Sequence, residues 1–499
     1  MESTCDILQN SADIPAWRPL KRAIGVLSLG ALLLSGCQTI DLSTEPTPVA
    51  PQARVEAQVT PEIDWVEPAP DALPDTDWVR TFPDPILIAL VDEALRQNTN
   101  IGASYARLNA ALAREKIATA SRLPSVSASA GLSRSERGNE FIPDATSITA
   151  GLSASWEPDL WGRITDNISA AELESDASAA DIAGARLSIT GKVAQRWFAL
   201  IEARLLTELS KRDVETQERA LRLTQRRFEG GVSASSDVRL ARSSLAQSQA
   251  VQASREQALS ATTRGLEVLL SRYPAEALEA SADLPELPAL MGAGSPAYIL
   301  TQRPDLIAAE RRLAAQGVQI DLARKALKPS LSLTSGVNAA GGGLGSFFDI
   351  DALVASIASS LTAPIFQGGR LKANVEVQKA QLEVQLESYV GTVLNAYLDV
   401  ENALDAETRL AEREAALRTS VFEAQKAEDR LQLRYTEGLA TILQLLDAQT
   451  RRLSAEGQLI SARAERLNNR VRLHVALGGG AYGDVPPDAL PAFLRESNG

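Results

Sequence analysis

The stretch SVSASAGLS, residues 125–133, alternates strictly between apolar and small polar side chains. The same alternation returns in ITAGLSASW, residues 148–156. Side chains with a period of two share one face of a β-strand, so the stretches predict a hairpin with one apolar face. A weaker copy of the pattern stands at 330–337 and 352–366. Each strand has about 10 residues or more, the length with which a tilted strand crosses a bilayer. The alternative is a small soluble sheet packed on helices.

Long helical patterns follow each predicted hairpin. Residues 163–228 contain no proline and are dominated by Ala, Leu, Glu, Arg and Gln, and residues 370–435 form a matching segment. One helix of this length is roughly 100 Å long. Each segment turns at a glycine, Gly231 or Gly438, and helices this long must pack side by side as coiled coils. The returning helices are predicted at 236–271 and 441–477.

The chain also repeats itself. Residues 98–124 align without gaps with residues 303–329, and RFEGG at 227–231 matches RYTEG at 434–438. Units of about 200 residues are too long for a solenoid repeat, so they predict a duplicated structural half. The expected boundaries are two structural repeats at 78–290 and 291–479, followed by a C-terminal tail at 480–499.

The N-terminal region predicts a lipoprotein signal. Two basic residues precede an apolar segment that is shorter than the roughly 20 residues needed to span a bilayer. Leu34-Ser35-Gly36-Cys37 resembles the lipobox of bacterial lipoproteins, with Cys37 as the lipidated residue, and the Gln38 that follows resembles the pattern sorted to the outer membrane. We expect a signal peptide at 1–36, with the true start codon left open, and an extended Pro-rich, acidic tether at 37–77. The alternative is a buried apolar helix with an incidental cysteine.

Composition excludes several function classes. The chain has 50 basic and 63 acidic residues, a net charge of −13, and no long basic stretch, which disfavours nucleic-acid binding. Cys5 and Cys37 are the only cysteines, so a disulfide framework or a cysteine metal site cannot be assembled. The single histidine, His474, lacks catalytic partners and is expected to be structural or solvated. GGGLG at 341–345 lacks the context of a phosphate-binding loop. We therefore expect no enzyme activity, no metal and no cofactor beyond the lipid on Cys37.

Four strands per chain cannot close a transmembrane barrel, because the smallest barrels have about eight and open sheet edges are not tolerated in lipid. The barrel must then be shared between chains. A cyclic trimer would give twelve strands and a tetramer sixteen, and the strand pattern alone does not choose between them.

Several motifs occur in an order typical of one family. They are the segment beginning WVRTFPDPIL at Trp78, SWEPDLWGR at 155–163, APIFQGGR at 363–370, and the two turns at 227–231 and 434–438. Together with the lipobox they resemble the outer-membrane efflux proteins, the TolC-like channels, and more closely the lipoproteins that serve RND-type pumps. The resemblance runs from Trp78 to about Gly479. It implies an α+β membrane protein: a homotrimer with a twelve-stranded outer-membrane barrel continued by a coiled-coil helical tunnel through the periplasm.

The resemblance places the two glycine turns at the periplasmic tip of the tunnel, where an adaptor protein docks. The implied tip and adaptor-contact residues are Arg227, Phe228, Gly231, Arg434, Tyr435 and Gly438. Physically, such a tip is a loosely packed, bistable end whose state is biased by partner contacts.

Two further groups of residues follow from the resemblance. A tip lock is implied at Ser236, Asp237 and Tyr435, whereas Ala440 stands where TolC-like members carry an arginine. An acidic aperture ring is implied at Asp447, and Gln444 replaces the second acidic position. We expect one acidic layer that attracts cations.

The implied function is a passive exit duct for drugs or toxic compounds in the outer membrane of a Gram-negative bacterium. Its implied partners are a periplasmic adaptor, an inner-membrane RND-type pump and outer-membrane lipid. Within the family, the alternative is a duct for type I protein secretion or metal-ion efflux. In another class, the alternative is a coiled-coil lipoprotein that scaffolds the envelope without conducting.

Overall fold

The computed structural model describes residues 65–67, 70, 77–135, 145–341 and 353–479. The signal peptide, Cys37, most of the tether, residues 342–345 of the glycine-rich stretch and the C-terminal tail lie outside these residues.

The described part of the chain is mostly helical with one small sheet. After a short 3-10 helix at Trp78–Thr81, the first half contains α1 (Pro85–Gln97), α2 (Thr99–Ala120), β1 (Ser125–Ser135), β2 (Ala145–Trp156), α3 (Arg163–Glu229) and α4 (Ser235–Leu269). The second half contains α5 (Pro296–Gln302), α6 (Pro304–Lys325), β3 (Ser330–Gly341), β4 (Leu353–Thr362), α7 (Arg370–Thr436) and α8 (Ile442–Ala476).

The four long helices end within two residues of their predicted bounds. Helices α3 and α7 have 67 residues each, and α4 and α8 have 35 each. Glycines explain where α3 and α7 stop: Gly231 and Gly438 adopt left-handed backbone angles, with φ of 73° and 80°. The amide after each glycine bonds back to the last helical turn, Val232 N to Arg227 O and Leu439 N to Arg434 O, both at 2.8 Å. This pattern satisfies the free carbonyls of a helix end and reverses the chain.

The four strands form one antiparallel sheet in the order β1-β2-β3-β4. The central pairing of β2 with β3 joins the two halves, with Leu152 opposite Val337 and Trp156 opposite Leu333. The strand lengths confirm the alternating pattern read from the sequence, although β4 ends at Thr362 rather than 366 because Ala363–Phe366 have no strand partner in the described chain.

The register places apolar and polar side chains on opposite faces of the sheet. The apolar face carries Val126, Leu132, Leu152, Val337, Ile357 and Leu361, all exposed in the single chain. The other face is rich in serine, whose hydroxyls pair across neighbouring strands: Ser125 with Ser155 at 2.7 Å, Ser127 with Ser153 at 2.9 Å and Ser332 with Ser360 at 2.7 Å. The sheet therefore has one apolar face, suited to contact with lipid, and one polar face, suited to contact with water.

The main core lies where the first helices pack on the middle of α3. Trp78 and Phe82 contact a buried cluster that includes Trp197 and Phe198 of α3. Asp84 caps α1 by accepting from the amides of Ile86 and Leu87, and its second oxygen accepts from Trp197 Nε1 at 2.7 Å. One buried carboxylate thus fixes the start of α1 against α3.

The predicted tether contacts the helical body at its described residues. Trp65 donates its Nε1 hydrogen to Gly294 O at 2.8 Å and packs edge-on against Tyr397 of α7. The amide of Val66 donates to the Glu401 carboxylate at 3.0 Å. Residues 65–66 of the tether therefore dock on the second half of the chain.

No helix in the described ranges combines the length and apolar character required to cross a membrane.

Candidate functional site

The two hairpin turns lie beside each other at one end of the long helices. Arg227, in the last turn of α3, donates from Nη1 to Tyr435 O of α7 at 2.7 Å. Its guanidinium also lies over the Tyr435 ring, 4.8 Å from the centroid. The tip residues implied by the family resemblance therefore come from two hairpins that touch within one chain.

A buried hydrogen bond reinforces this contact. The hydroxyls of Thr224 and Tyr435 are 2.9 Å apart, and the two side chains are 0% and 2% exposed. Since Thr224 Oγ1 donates to Ala220 O at 2.8 Å, the Tyr435 hydroxyl is the donor to Thr224. We call Thr224, Arg227 and Tyr435 the tip junction. It joins the end of α3 to the end of α7.

Sequence reasoning missed Thr224. The resemblance implied Arg227 as a residue of the tip turn and an adaptor contact; within the chain its guanidinium bonds to Tyr435, and the adaptor contact stays a prediction. A helical spacing signal was available: Ala220, Thr224 and Arg227 stand at i, i+4 and i+7, on one face of α3.

The surface around the turns is apolar and exposed. Phe228 is 46% exposed, and the large side chains near it along the two turns are open to solvent as well. They are Val232, Leu433, Leu439 and Leu443. Exposed apolar groups clustered at one end of a molecule mark an interaction surface.

The three predicted lock residues do not form one cluster within the chain. Asp237 accepts from the Ala234 amide at 3.3 Å and so caps the start of α4. Ser236 lies beside it, with its hydroxyl 3.5 Å from Asp237 Oδ1. The Tyr435 hydroxyl instead bonds to Thr224. A lock that involves Asp237 thus stays a prediction for contacts between chains.

The predicted aperture residues have distinct local roles. Gln444 Oε1 accepts from the Thr441 backbone amide at 3.0 Å, and the Gln444 backbone amide donates to Thr441 Oγ1 at 3.3 Å, which is a capping box at the start of α8. Asp447 is exposed and accepts from Arg451 Nε at 2.8 Å, one helical turn further on. The hydrogen bond to Asp447 raises the pKa of Arg451. Any ring formed by Asp447 is therefore accompanied by a basic layer, which the sequence reasoning did not include.

Buried ion pairs connect the middle of α7 with the C-terminal part of α8. Arg470 is 2% exposed, lies 2.9 Å from the Glu407 carboxylate, and donates to Pro288 O at 2.7 Å. Arg466 bridges Glu407 and Glu414, at 3.2 and 3.0 Å. Burial lowers the pKa of Arg470. The last two helices are thus held in register by directed ionic hydrogen bonds.

Of the two roles expected for His474, structural or solvated, the structure shows the structural one. It is 2% exposed and stacks on the Trp78 ring, with centroids 4.9 Å apart. Burial, together with the charge of Arg470, lowers its pKa to about 3. Among the described residues, no group of three or more His, Cys, Asp or Glu side chains is placed to hold a metal ion.

Comparison with known proteins agrees with this architecture. A family model described as "Outer membrane efflux protein" matches residues 90–272 and 296–479. The chain is 31% identical to the probable efflux pump outer membrane protein TtgC of Pseudomonas putida, over 91% of this chain and 95% of that protein. It is 32% identical to the pyoverdine export outer membrane protein OpmQ of the same species, over 86% and 94%.

The structure is similar to that of the outer-membrane channel OprN. The TM-score is 0.77 at 28% sequence identity, over 88% of this chain and 98% of that one. These likenesses confirm the resemblance read from the motifs, and with it an outer-membrane location and an efflux role. The two matched segments, the shared fold and the near full-length relatives establish that the chain belongs to the outer membrane efflux protein family.

Proposed function

We propose that three copies of this chain form a passive exit duct, through which small molecules leave the cell from an inner-membrane RND-type pump and a periplasmic adaptor. The observation that carries the proposal is the sheet. Strands β1 and β4 are its edges, with 11 and 10 residues. In lipid every backbone N–H and C=O group must be paired, so these edges require strands from other copies.

A cyclic trimer closes the sheet with β4 of one chain beside β1 of the next. Twelve strands result, with the apolar face toward lipid and the serine face toward water. A strand of 12 residues such as β3 is about 40 Å long at 3.3 Å per residue. When it is tilted by roughly 40°, it covers about 30 Å, the thickness of the hydrocarbon layer.

The helices extend the duct into the periplasm. Helices α3 and α7, with 67 residues each, are about 100 Å long. Four long helices per chain give a twelve-helix tunnel whose far end is the tip junction and its exposed apolar surface. We infer that this surface receives the adaptor. The duplication of the two halves and the lipid on Cys37 belong to the same proposal.

The cargo is proposed to be small molecules. The named relatives act in efflux and in pyoverdine export, which supports small-molecule transport over protein secretion. A duct of this kind binds no nucleotide itself, so the energy for transport comes from the pump.

The test is the mass and the conductance of the purified protein in detergent and planar bilayers. A three-chain mass with stable, water-filled conductance supports the duct. A non-conducting monomer or dimer would overturn the duct proposal and favour the envelope scaffold.

Variants at the aperture test the ring separately, by reversal potential in a KCl gradient. Asp447→Asn should reduce cation preference, whereas Arg451→Gln, which releases the Asp447 carboxylate from its partner, should increase it. If both variants behave as the parent, these residues do not line the aperture.

A further inference from the structure

A groove of about 790 Å³ lies where the sheet meets the helices. It is formed by the connection from β2 to α3, the connection from α6 to β3, and the segment between β4 and α7. We call it the junction groove. Its lining includes Trp161, Lys325, Lys328, Ile365, Phe366 and Arg370.

The carboxylates that line the junction groove are already engaged. Glu157 pairs with Arg163 at 2.8 Å. Asp159 accepts from the amides of Ile164 and Thr165 at 2.9 and 2.8 Å and so caps the start of α3. Neither acid forms an ion pair with Lys328 or Arg370, although Asp159 keeps its negative charge because its partners are neutral amides.

Two cations of the groove, Lys328 and Arg370, form no ion pair with a carboxylate of the described residues, whereas Lys325 does. Lys325 is neutralised by Asp166 at 2.5 Å. Lys328 instead holds its ammonium over the Trp161 ring, 5.0 Å from the centroid. Arg370 donates to the neutral side-chain oxygen of Gln367. Lys328 and Arg370 together outweigh the single charge of Asp159, so the groove is net positive and favours an anionic occupant.

The groove is also apolar and continues the apolar face of the sheet. Ile365 and Phe366 are 91% and 88% exposed, immediately after β4, and Trp161 is 43% exposed. Leu361 ends the apolar face on β4, and Trp156 ends it on β2. A ligand at this place meets apolar side chains on the sheet side and cations on the helix side.

The position of the groove matches the depth of lipid headgroups. All four strands meet the helices at this end of the sheet, and each strand is just long enough to cover the hydrocarbon layer. In the proposed duct, on which this inference rests, the helix side of the sheet faces the periplasm, so the groove lies at the phosphate level of the periplasmic leaflet. Trp161 and Trp156 are the residue type that concentrates at this interface.

We infer that the junction groove binds one phospholipid of the periplasmic leaflet, of the anionic phosphatidylglycerol class. Its phosphate lies between Lys328 and Arg370, and the first acyl carbons lie on Ile365 and Phe366. The acyl chains then run along the apolar face of the sheet. Charge complementarity and continuity with the lipid-facing surface select this occupant.

The experiment is native mass spectrometry of the full-length protein in detergent, titrated with dioleoylphosphatidylglycerol and counted per chain. The parent protein should bind about one lipid per chain. Lys328→Gln or Arg370→Gln should weaken binding about fivefold, and the double variant about 30-fold. Each Lys or Arg near a membrane surface adds a similar attraction to anionic lipid, so the two losses multiply. The matched control is Lys426→Gln, which removes another lysine held over a ring, that of Phe422, 5.7 Å from its centroid on α7.

Three outcomes would overturn the inference: unchanged binding in the double variant, an equal loss in the control, or equally tight binding of glycerophosphoglycerol, which has the headgroup without acyl chains. Because lipid is counted per chain, the number bound can be compared between samples of different oligomeric state. Bilayer conductance of the same samples separates the two proposals: a conducting protein without the lipid leaves the duct intact and removes only this site.

Discussion

The tip junction makes a quantitative prediction for Thr224→Val, a change that keeps the side-chain shape and removes one hydroxyl. The Tyr435 hydroxyl then loses its acceptor at a position that is 2% exposed, so water does not readily replace it. Leaving a buried donor unpaired costs about 1–3 kcal/mol. This cost falls on the packed state of the tip, because the bond joins the ends of α3 and α7.

Hydrogen exchange at the tip amides measures this cost directly. The amides of Gly438 and Leu439 are bonded to Tyr435 O and Arg434 O in the closed turn. Their exchange should be about 5- to 150-fold faster in Thr224→Val, the factor that corresponds to 1–3 kcal/mol.

Thr263→Val is the matched control, since Thr263 is 3% exposed and its hydroxyl bonds to Leu259 O of its own helix. Exchange at Gly438 and Leu439 should be unchanged in it. Adding Tyr435→Phe to Thr224→Val should recover part of the loss, because no hydroxyl is then left unpaired. The reasoning is refuted if Thr224→Val exchanges within about twofold of the parent, or if the two substitutions are simply additive.

Three other substitutions test the sheet and the buried polar groups. Gly151→Ala should destabilise the sheet by about 0.5–1.5 kcal/mol, because an added Cβ would lie 2.0 Å from Asn338 Oδ1 and this exposed side chain must leave its rotamer; the fraction of protein that migrates in folded form on unheated SDS gels measures the effect. Arg470→Met should lower the unfolding free energy by about 3 kcal/mol, since Glu407 loses a buried partner. The His474 pKa is about 3 in the folded chain and 6.5 when unfolded, so the unfolded chain takes up the proton first as pH falls. The parent should therefore lose about 2 kcal/mol more stability than His474→Asn between pH 7 and 5, followed by helical circular dichroism.

Each of these has its own check. Adding Asn338→Ser to Gly151→Ala should restore the folded fraction by removing the contact, and failure to do so would locate the damage elsewhere. Arg409→Met, which breaks an exposed pair with Asp405, should cost less than about 1 kcal/mol. An equal cost at Arg409 and Arg470 would contradict the role of burial. Parallel pH profiles of the parent and His474→Asn would mean that carboxylates alone set the acid sensitivity.

The long helices and strands were predictable because local chemistry decides their ends. Gly231 and Gly438 terminate α3 and α7 with positive φ, where glycine is favoured over other residues, and alternation decides the strands. The pairing of β2 with β3 was not predicted, since no local signal selects a partner strand in the other half.

The candidate site depends on contacts that no periodicity encodes. Thr224 and Tyr435 are 211 positions apart, and their hydroxyls meet only because α8 packs against both α3 and α7. Arg470 reads as an ordinary surface residue in a charged helix, yet it is buried against Glu407. The partner of Asp447 was one helical turn away and was readable from the i, i+4 spacing with Arg451.

The serine-rich face of the sheet has a consequence for whatever passes along it. Its side chains are mostly serine, threonine and glycine, so the bore of a closed barrel is set by the backbone and not by side chains that swing into the passage. The two hydroxyls of each pair form one hydrogen bond with each other, and their remaining donor and acceptor positions bond to water. In the proposed barrel, a solute would therefore pass a hydrated wall on which the described strand residues place no charge and little apolar surface. Such a wall would transmit chemically different compounds at similar rates, and it would leave the choice of cargo to the proposed pump.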